Sequence, residues 1–251
     1  MKYSNRLNAS QLREVNKKPP AERVRLLGYR TYIGGTDAET WYVIGKLQYH
    51  FLVAQGLRHD HKFLDVACGA LRLGQYLIPF LDEGCYLGIE GERELVKAGR
   101  EYELFFKLAG AKKAKFAFNY DFDISALGNF DFAIAQSLFT HLNPEDIAKC
   151  FSQLAPYAND GAKFFVSYFE GDSAGNPIEP SHAQMGWNYT VDTLAELARP
   201  SGWKVTRIGD WGHPRHQMMV VCEHAKTSDK GRAGPLARIF GALGERGRRP
   251  A

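Results

Sequence analysis

The chain has 251 residues, 45% of them hydrophobic and 24% charged, with a formal net charge of +4. This length suits one α/β domain with additions, and such a chain can bury a substantial core without disulfide bonds or bound metals. No apolar run reaches the roughly 18 residues of a membrane span and no signal core opens the chain, while its four cysteines lack zinc or redox-pair spacing. We therefore predict a soluble, cytoplasmic protein with no metal site.

The positive charge is concentrated at the C-terminal end. From Ala225 onward seven Lys and Arg residues face two acids, a net of +5 that exceeds the charge of the whole chain. We predict a basic, disordered tail over 225–251, a main domain over 36–224 and a helical extension over 1–35. A basic tail can bind nucleic acid or anionic lipid, although a solvated extension is the simpler interpretation. Nothing in the sequence indicates an oligomeric state.

The predicted extension contains two short helices, over 10–17 and 20–28, with Pro20 well suited to begin the second. The segment YRTYIGG at 29–35 then forms either a plain loop or a cover over a bound cofactor. A helix with one apolar face follows and ends near Gln55.

Residues 62–90, KFLDVACGALRLGQYLIPFLDEGCYLGIE, predict a strand, a tight turn, a helix and a second strand. A unit of about 30 residues with this order indicates a right-handed crossover between parallel strands. Gly69 in the first turn lets a ligand approach the backbone closely. Glu90, at the end of the second strand, can accept two hydrogen bonds from a ribose diol. The unit therefore predicts a nucleoside-containing cofactor.

The same residues resemble the first two motifs of the class I S-adenosylmethionine-dependent methyltransferases. That family has an acid before a glycine-rich turn and a second acid after the next strand, which Asp65, Gly69 and Glu90 match. Ala67 and Leu71 stand where the family usually has glycines. The resemblance implies S-adenosylmethionine as the cofactor. The residues expected to hold it in this unit are Asp65, Ala67, Cys68, Gly69, Ala70, Arg72 and Glu90.

Strands and helices alternate through the rest of the chain. Further strands are predicted over 115–119, 130–136, 162–169, 203–208 and 218–222. The last two are separated by only about nine residues, too few for a crossover, so the final strand must be antiparallel to its neighbour. We predict an α/β, doubly wound fold with a mostly parallel seven-stranded sheet and a C-terminal antiparallel hairpin, as in the methyltransferases.

Two later stretches strengthen the resemblance. FDFAIAQSLFTHL (130–142) and GDWGHPRHQMMVV (209–221) are similar to a group of bacterial-type methyltransferase-domain proteins without a well-defined substrate.

Ligands of an open parallel sheet bind beyond the carboxyl ends of its strands. Beyond the third strand, Asp121 or Asp123 is expected near the adenine, with a turn or helix cap as the alternative role. Asp121 is slightly favoured because it comes first after the strand. Beyond the fourth strand, Gln136 and Ser137 can contact the methionine part of the cofactor. Arg72 can pair with the methionine carboxylate, with an anionic substrate, or with a neighbouring glutamate.

The substrate side is placed by topology alone. A long loop over 170–188 and a hairpin turn over 212–216 should lie above the site. They offer His182, Trp187 and Arg215 as substrate contacts. The planar fork of Arg215 suits a carboxylate, phosphate or sulfate, while an ion pair within the fold is its alternative role.

A general base is needed only if the nucleophile arrives protonated. The candidates are His141, Glu170 and His213. His141 can equally cap or pack beneath the helix that follows it.

We predict an S-adenosylmethionine-dependent methyltransferase acting at oxygen or nitrogen of a small molecule or glycan. No Asn-Pro-Pro-Tyr-type tetrapeptide follows the fourth strand, which disfavours methylation of amino groups in DNA. Methyl transfer to RNA remains an alternative because of the basic tail. Two alternatives remain. One is an NAD-linked oxidoreductase that uses Gly69, Gly74 and Glu90; the other is a non-catalytic binding module with the same fold.

Overall fold

A mostly parallel sheet forms the centre of the chain. The computed structural model describes residues 9–34, 38–105, 107–178, 180–181 and 185–224. Its strands are β1 (Phe63–Val66), β2 (Tyr86–Glu90), β3 (Lys115–Phe118), β4 (Phe130–Ala135), β5 (Ala158–Glu170), β6 (Asn188–Tyr189), β7 (Trp203–Asp210) and β8 (Met218–His224). Seven follow the order β3-β2-β1-β4-β5-β8-β7, and the two-residue β6 pairs with the end of β5.

The direction of the strands confirms the predicted topology. β1 to β5 pair in parallel, whereas β8 is antiparallel to both β5 and β7. The β7–β8 hairpin therefore inserts its second strand next to β5, so that β7 runs parallel to β5 at the sheet edge. The carboxyl ends of β1, β2, β4, β5 and β7 all meet on one side, where ligands bind in such sheets.

Helices connect the strands. They are α1 (Ala9–Asn16), α2 (Pro20–Leu27), α3 (Tyr29–Tyr32), α4 (Ala38–Ala54), α5 (Gly74–Phe80), α6 (Arg93–Tyr102), α7 (Leu108–Ala111), α8 (Pro144–Leu154) and α9 (Val191–Ala198). Single turns of 3₁₀ helix occur at Phe139–His141, Ala155–Tyr157, Ser173–Gly175 and Arg199–Ser201. None of the helices within the described ranges has the length and apolar character of a membrane span.

The core has two layers, one on each face of the sheet. All four residues of β1 are buried, as expected for a parallel strand covered on both sides. Leu64 packs in the layer that includes Ile147 of α8, whereas Phe63 packs in the layer that includes Leu77 and Ile78 of α5. The alternation along one strand thus supplies both layers, and Asp65 is the one polar residue among the four.

The N-terminal helices pack on the unit formed by β1, β2 and α6. Val24 of α2, Trp41 of α4, Ala70 and Leu95 of α6 form one buried cluster. Arg30 of α3 makes a salt bridge of 2.6 Å with Glu103, just after α6. The described part of the predicted extension therefore packs against the domain. The predicted tail over 225–251 lies outside the described residues.

Two predicted helices differ from the observed ones. Residues 92–108, whose apolar spacing predicts one helix, form two helices, because Lys107 adopts a left-handed φ of 58° immediately before α7. Residues 71–81 also have helical spacing, but the helix begins only at Gly74, because the residues before it form the turn that follows β1. Both differences arise from backbone conformations that apolar spacing does not encode.

We expect Gly99→Ala to lower the free energy of unfolding by about 1–3 kcal/mol. A Cβ on Gly99 would lie 2.5 Å from the backbone oxygen of Ala70, so α6 would have to move away from the turn. Urea denaturation measures the loss. Gly110→Ala is the matched control, since a Cβ there has nothing within 4 Å. Equal stability of the two variants would contradict the packing of α6 on the turn.

Candidate functional site

The turn after β1 has a left-handed backbone at alternate residues. Ala67, Gly69 and Leu71 have φ values of 57°, 54° and 60°. An L residue in this region costs roughly 1–2 kcal/mol, and only glycine adopts it freely. The two residues that replace the glycines expected from the resemblance therefore keep the glycine conformation. Burial of Leu71 in the core holds this strained turn in place.

Glu90 ties the end of β2 to this turn. Its Oε2 accepts a hydrogen bond of 2.8 Å from the Gly69 amide, and its Oε1 accepts one of 3.0 Å from the Glu92 amide. Burial raises the pKa of Glu90, while these amides oppose that rise. An ionised carboxylate has further lone pairs, so Glu90 can still accept hydrogen bonds from a ligand. The sequence prediction placed Glu90 and Gly69 together, and the structure brings them into contact.

The other turn residues point into the protein. Asp65 is buried beneath the turn, where Oδ2 accepts a hydrogen bond of 2.7 Å from the Tyr86 hydroxyl, and burial raises the pKa of Asp65 to about 7. Cys68 and Ala70 are also buried, and burial raises the pKa of the Cys68 thiol. These three residues are placed to support the turn from beneath, whereas Ala67 is exposed.

Gln136, directly after β4, is the centre of a polar network. Its Oε1 accepts hydrogen bonds from Arg72 and, at 2.9 Å, from Gln48 of α4. Its Nε2 lies 3.1 Å from Nε2 of His213 in the β7–β8 hairpin. The network thus joins the turn after β1, the end of β4, α4 and the hairpin, which are far apart in sequence.

A second part of the network anchors Ser137. Its backbone amide donates to Ser167 Oγ at 2.7 Å, and its hydroxyl donates to Gln217 Oε1 at 3.0 Å. Ser137 also has a left-handed φ of 57°. Ser167 and Gln217 are buried, as is Gln48. The sequence analysis did not single out these three; the available signal was a polar residue inside or beside an apolar element.

Arg72 extends from the turn toward this network without an acidic partner. Its guanidinium lies over the Trp41 ring, 5.4 Å from the centroid. Among the described residues no salt bridge involves Arg72, so a bridge to Glu90 or Glu92 does not form. Its Nη1 and the Trp41 Nε1 are buried donors without an acceptor in the described ranges. Burial, and next the like charge of Arg215, lower the pKa of Arg72 to about 10.

The hairpin turn brings His213 and Arg215 to the same place. His213 is 3% exposed, and its Nδ1 accepts a hydrogen bond of 3.2 Å from the Arg215 amide. Burial, followed by the charges of Arg72 and Arg215, lowers the pKa of His213 to about 4, so the ring is neutral at pH 7. The Arg215 guanidinium donates to the backbone oxygen of Gly34.

The segment around Ile33 covers the turn after β1. A Cβ on Gly69 would lie 3.0 Å from Cδ1 of Ile33, and Gly34 accepts the hydrogen bond from Arg215. The sequence was compatible with either a plain loop or a cofactor cover in this segment. In the structure it lies between the turn and the hairpin, so a cofactor in the turn would be closed off on this side.

Several predicted residues lie in other surroundings. Glu170 accepts hydrogen bonds from Nε and Nη2 of Arg207, at 3.0 and 2.8 Å, and this ion pair lowers the pKa of Glu170. The alternative ion pair of Arg215 with Glu170 is therefore not formed. His141 donates from Nδ1 to the Met185 carbonyl at 2.6 Å, beneath the long loop.

Trp187 is fully buried in the core, and its Nε1 donates to the Pro177 carbonyl at 3.3 Å, so this side chain packs the loop and has no surface for a substrate. His182 falls outside the described residues.

The acids expected near an adenine also have partners. Asp121 makes a salt bridge with Lys149, and Asp123 caps the following turn through the Ser125 amide at 2.9 Å. Tyr120, which the sequence analysis did not single out, donates to Glu92, next to the end of β2.

The fold occurs in solved methyltransferases. An S-adenosylmethionine-dependent methyltransferase from Clostridium acetobutylicum is 11% identical, with a TM-score of 0.57, covering 81% of this chain and 98% of that one. Magnesium protoporphyrin IX methyltransferase from Synechocystis, solved with bound SAH, is 14% identical with a TM-score of 0.56, covering 81% and 100%. Human N-acetylserotonin methyltransferase in complex with SAM is 15% identical with a TM-score of 0.60, covering 84% and 61%.

At these identities the likeness is one of fold. The chain has the class I S-adenosylmethionine-dependent methyltransferase fold, as the sequence resemblance predicted. No family model matches the chain, and no curated protein matches it.

We expect Asp65 to make the protein less stable as the pH rises from about 4 to 7. The folded-state pKa of about 7 exceeds the unfolded value of 3.8, so over this range the unfolded state loses the proton first. The linked loss is up to about 4 kcal/mol. Urea titrations at several pH values should show it in the wild type and not in Asp65→Asn. Asp60→Asn, at an exposed position, is the control, and an unchanged pH slope in Asp65→Asn would contradict the burial of this carboxyl.

Proposed function

We propose that this protein is an S-adenosylmethionine-dependent methyltransferase that methylates oxygen or nitrogen of a small molecule or glycan. The observation that carries the proposal is the contact between Glu90 and Gly69. A buried carboxylate at the end of β2, held on the amide of a left-handed turn after β1, suits a ribose diol. The methyltransferase fold supports the same choice over a dinucleotide enzyme, because β8 is antiparallel.

The residues present suit both ends of this cofactor. Glu90 would accept hydrogen bonds from the ribose. The buried Arg72 Nη1 and Trp41 Nε1 lack acceptors in the described ranges, and leaving a buried donor unpaired costs about 1–3 kcal/mol each. The carboxylate of the methionine part would supply such acceptors beside the turn. Gln136 holds Arg72 in position through its Oε1.

Methyl transfer asks little chemistry of the protein. The cofactor supplies a methyl group on a sulfonium sulfur, which is already activated for transfer. This chain would contribute orientation and exclusion of water, and orientation can lower a barrier by roughly 7–11 kcal/mol. The cover formed by Ile33 and Gly34 would keep water from the turn. The Gln136 network fixes the end of β4, where the cofactor and acceptor sites would adjoin.

The three candidate bases differ in their suitability. Glu170 is engaged by Arg207, which lowers its pKa and weakens it as a proton acceptor. His213 contacts the Gln136 network, but a pKa of about 4 makes it a weak base at neutral pH. We propose that His213 orients the hairpin, because its Nδ1 accepts from the Arg215 amide. His141 stays a candidate whose ring is oriented by the Met185 carbonyl.

We expect the purified protein to bind S-adenosylhomocysteine and S-adenosylmethionine with micromolar affinity and NAD not at all. Glu90→Gln should weaken binding of both sulfur nucleosides at least tenfold, because a charge-assisted hydrogen bond contributes about 1.5–3 kcal/mol and the amide cannot accept from both backbone donors. Isothermal titration calorimetry measures both results.

Glu94→Gln, on the exposed part of α6, is the matched control and should bind like the wild type. Binding of NAD instead, or of none of the three, would overturn the proposal. Tight cofactor binding without turnover across a broad acceptor screen would favour the non-catalytic binding module.

A further inference from the structure

Two arginines approach each other at the candidate site without an acid between them. Arg72 comes from the turn after β1 and donates to Gln136 Oε1. Arg215 comes from the β7–β8 hairpin, where its amide donates to His213, whose Nε2 lies 3.1 Å from Gln136 Nε2. Burial, and next the like charge of Arg215, lower the pKa of Arg72. In the described part of the chain, neither takes part in a salt bridge. Arg72 is partly buried and Arg215 is exposed, and their like charges repel, so an anion bound beside them would be stabilised by both.

The neighbouring groups do not neutralise the pair. Asp65 is the carboxyl that acts on Arg72, but its pKa of about 7 leaves it largely protonated below that pH. His213 stays neutral, so it adds no charge and accepts the Arg215 amide hydrogen. Acids near the hairpin are engaged elsewhere, since Asp210 accepts from the Gly212 amide and Glu170 from Arg207. Within the described ranges, no acid therefore forms an ion pair with either arginine.

The two arginines face different parts of the site. Arg72 belongs to the turn in which the proposed cofactor would lie, and a methionine carboxylate would occupy its unpaired Nη1. Arg215 sits on the hairpin, next to the cover residue Gly34 and to the ends of β7 and β8. The carboxylate of one cofactor would leave the fork of Arg215 unmatched. An anionic group on the acceptor would match that fork.

We propose that the methyl acceptor carries an anionic group, a carboxylate, phosphate or sulfate, and that Arg215 binds this group at the hairpin side of the site. This inference rests on the proposed function. An arginine presents five N–H donors in a planar fork that matches two oxygens of such an anion. One branch of Arg215 is used by the Gly34 carbonyl, which orients the fork and leaves its other donors without an acceptor in the described ranges.

The contact with Gly34 also links the anion to the cover. Arg215 donates to the same segment whose Ile33 lies on Gly69. An anion on Arg215 would therefore bind beside the closed cover, and binding of the acceptor would favour its closed position over the turn.

The test uses sulfate as the probe and the full-length protein saturated with S-adenosylhomocysteine. Isothermal titration with sodium sulfate, at ionic strength held constant with sodium chloride, measures anion binding; sodium phosphate and sodium acetate are run as parallel arms. We expect millimolar sulfate binding that weakens at least fivefold in Arg215→Gln. Arg215→Lys keeps the charge but loses the fork, so we expect an intermediate affinity.

Far-UV circular dichroism and urea denaturation show whether both Arg215 variants fold like the wild type. Arg100→Gln removes a charge from the exposed face of α6 and should bind sulfate like the wild type.

The outcomes separate the two proposals. Sulfate binding that is equal in the wild type and Arg215→Gln overturns the anion site, as does competition between sulfate and S-adenosylhomocysteine, which would assign Arg215 to the cofactor carboxylate. If S-adenosylhomocysteine does not bind but sulfate binds through Arg215, the anion site stands and the methyltransferase proposal fails. If S-adenosylhomocysteine binds and sulfate does not, the reverse holds.

Discussion

The hydrogen bond between the Glu90 carboxylate and the Gly69 amide is the contact on which the candidate site depends. It joins the ends of two neighbouring parallel strands, and it requires the turn after β1 to present its amide toward β2. That turn is strained, because Ala67 and Leu71 occupy a left-handed conformation natural to glycine. The strain persists because Leu71 is buried and α6 packs on Ala70 through Gly99. The site is thus held by the core and not by glycine flexibility.

The polar layer above the turn follows from the same geometry. Buried amides and hydroxyls are stable only when their hydrogen bonds are made, and Gln136, Ser137 and Gln217 satisfy one another in a closed network. Arg72 joins this network through Nη2, while its Nη1 has no acceptor among the residues that the structure describes. The amide groups of Gln136 and Gln217 have their hydrogen-bond partners within the protein, as in a structural network. The unpaired donor of Arg72 is instead typical of a binding site, where oxygen atoms of a ligand complete the hydrogen bonds.

Much of the fold was predictable from local patterns. Apolar runs separated by helical periodicity predicted β1 to β5, and the short final connection required an antiparallel β8. The placement of Gly69 and Glu90 at the ends of neighbouring strands followed from the crossover unit, and the choice of Asp65 followed from the resemblance to the methyltransferases. Other assignments did not survive. Trp187 is a core residue, and Glu170 is held by Arg207. Topology places a residue at an edge of the sheet, but it does not say whether the side chain turns inward or finds an ion-pair partner.

By itself, the sequence determined where the main strands lie along the chain, the antiparallel direction of the last one, the turn after β1 and the acid at the end of β2, because these depend on short-range periodicity, chain length between strands and residues adjacent in one motif. Only the tertiary structure decided the rest. It placed Gln48, Gln136, His213 and Gln217 in one network, it set Ile33 on Gly69, and it brought Arg72 toward Arg215 without an acid. Those contacts join segments more than 30 residues apart, and their geometry depends on how the packed layers close.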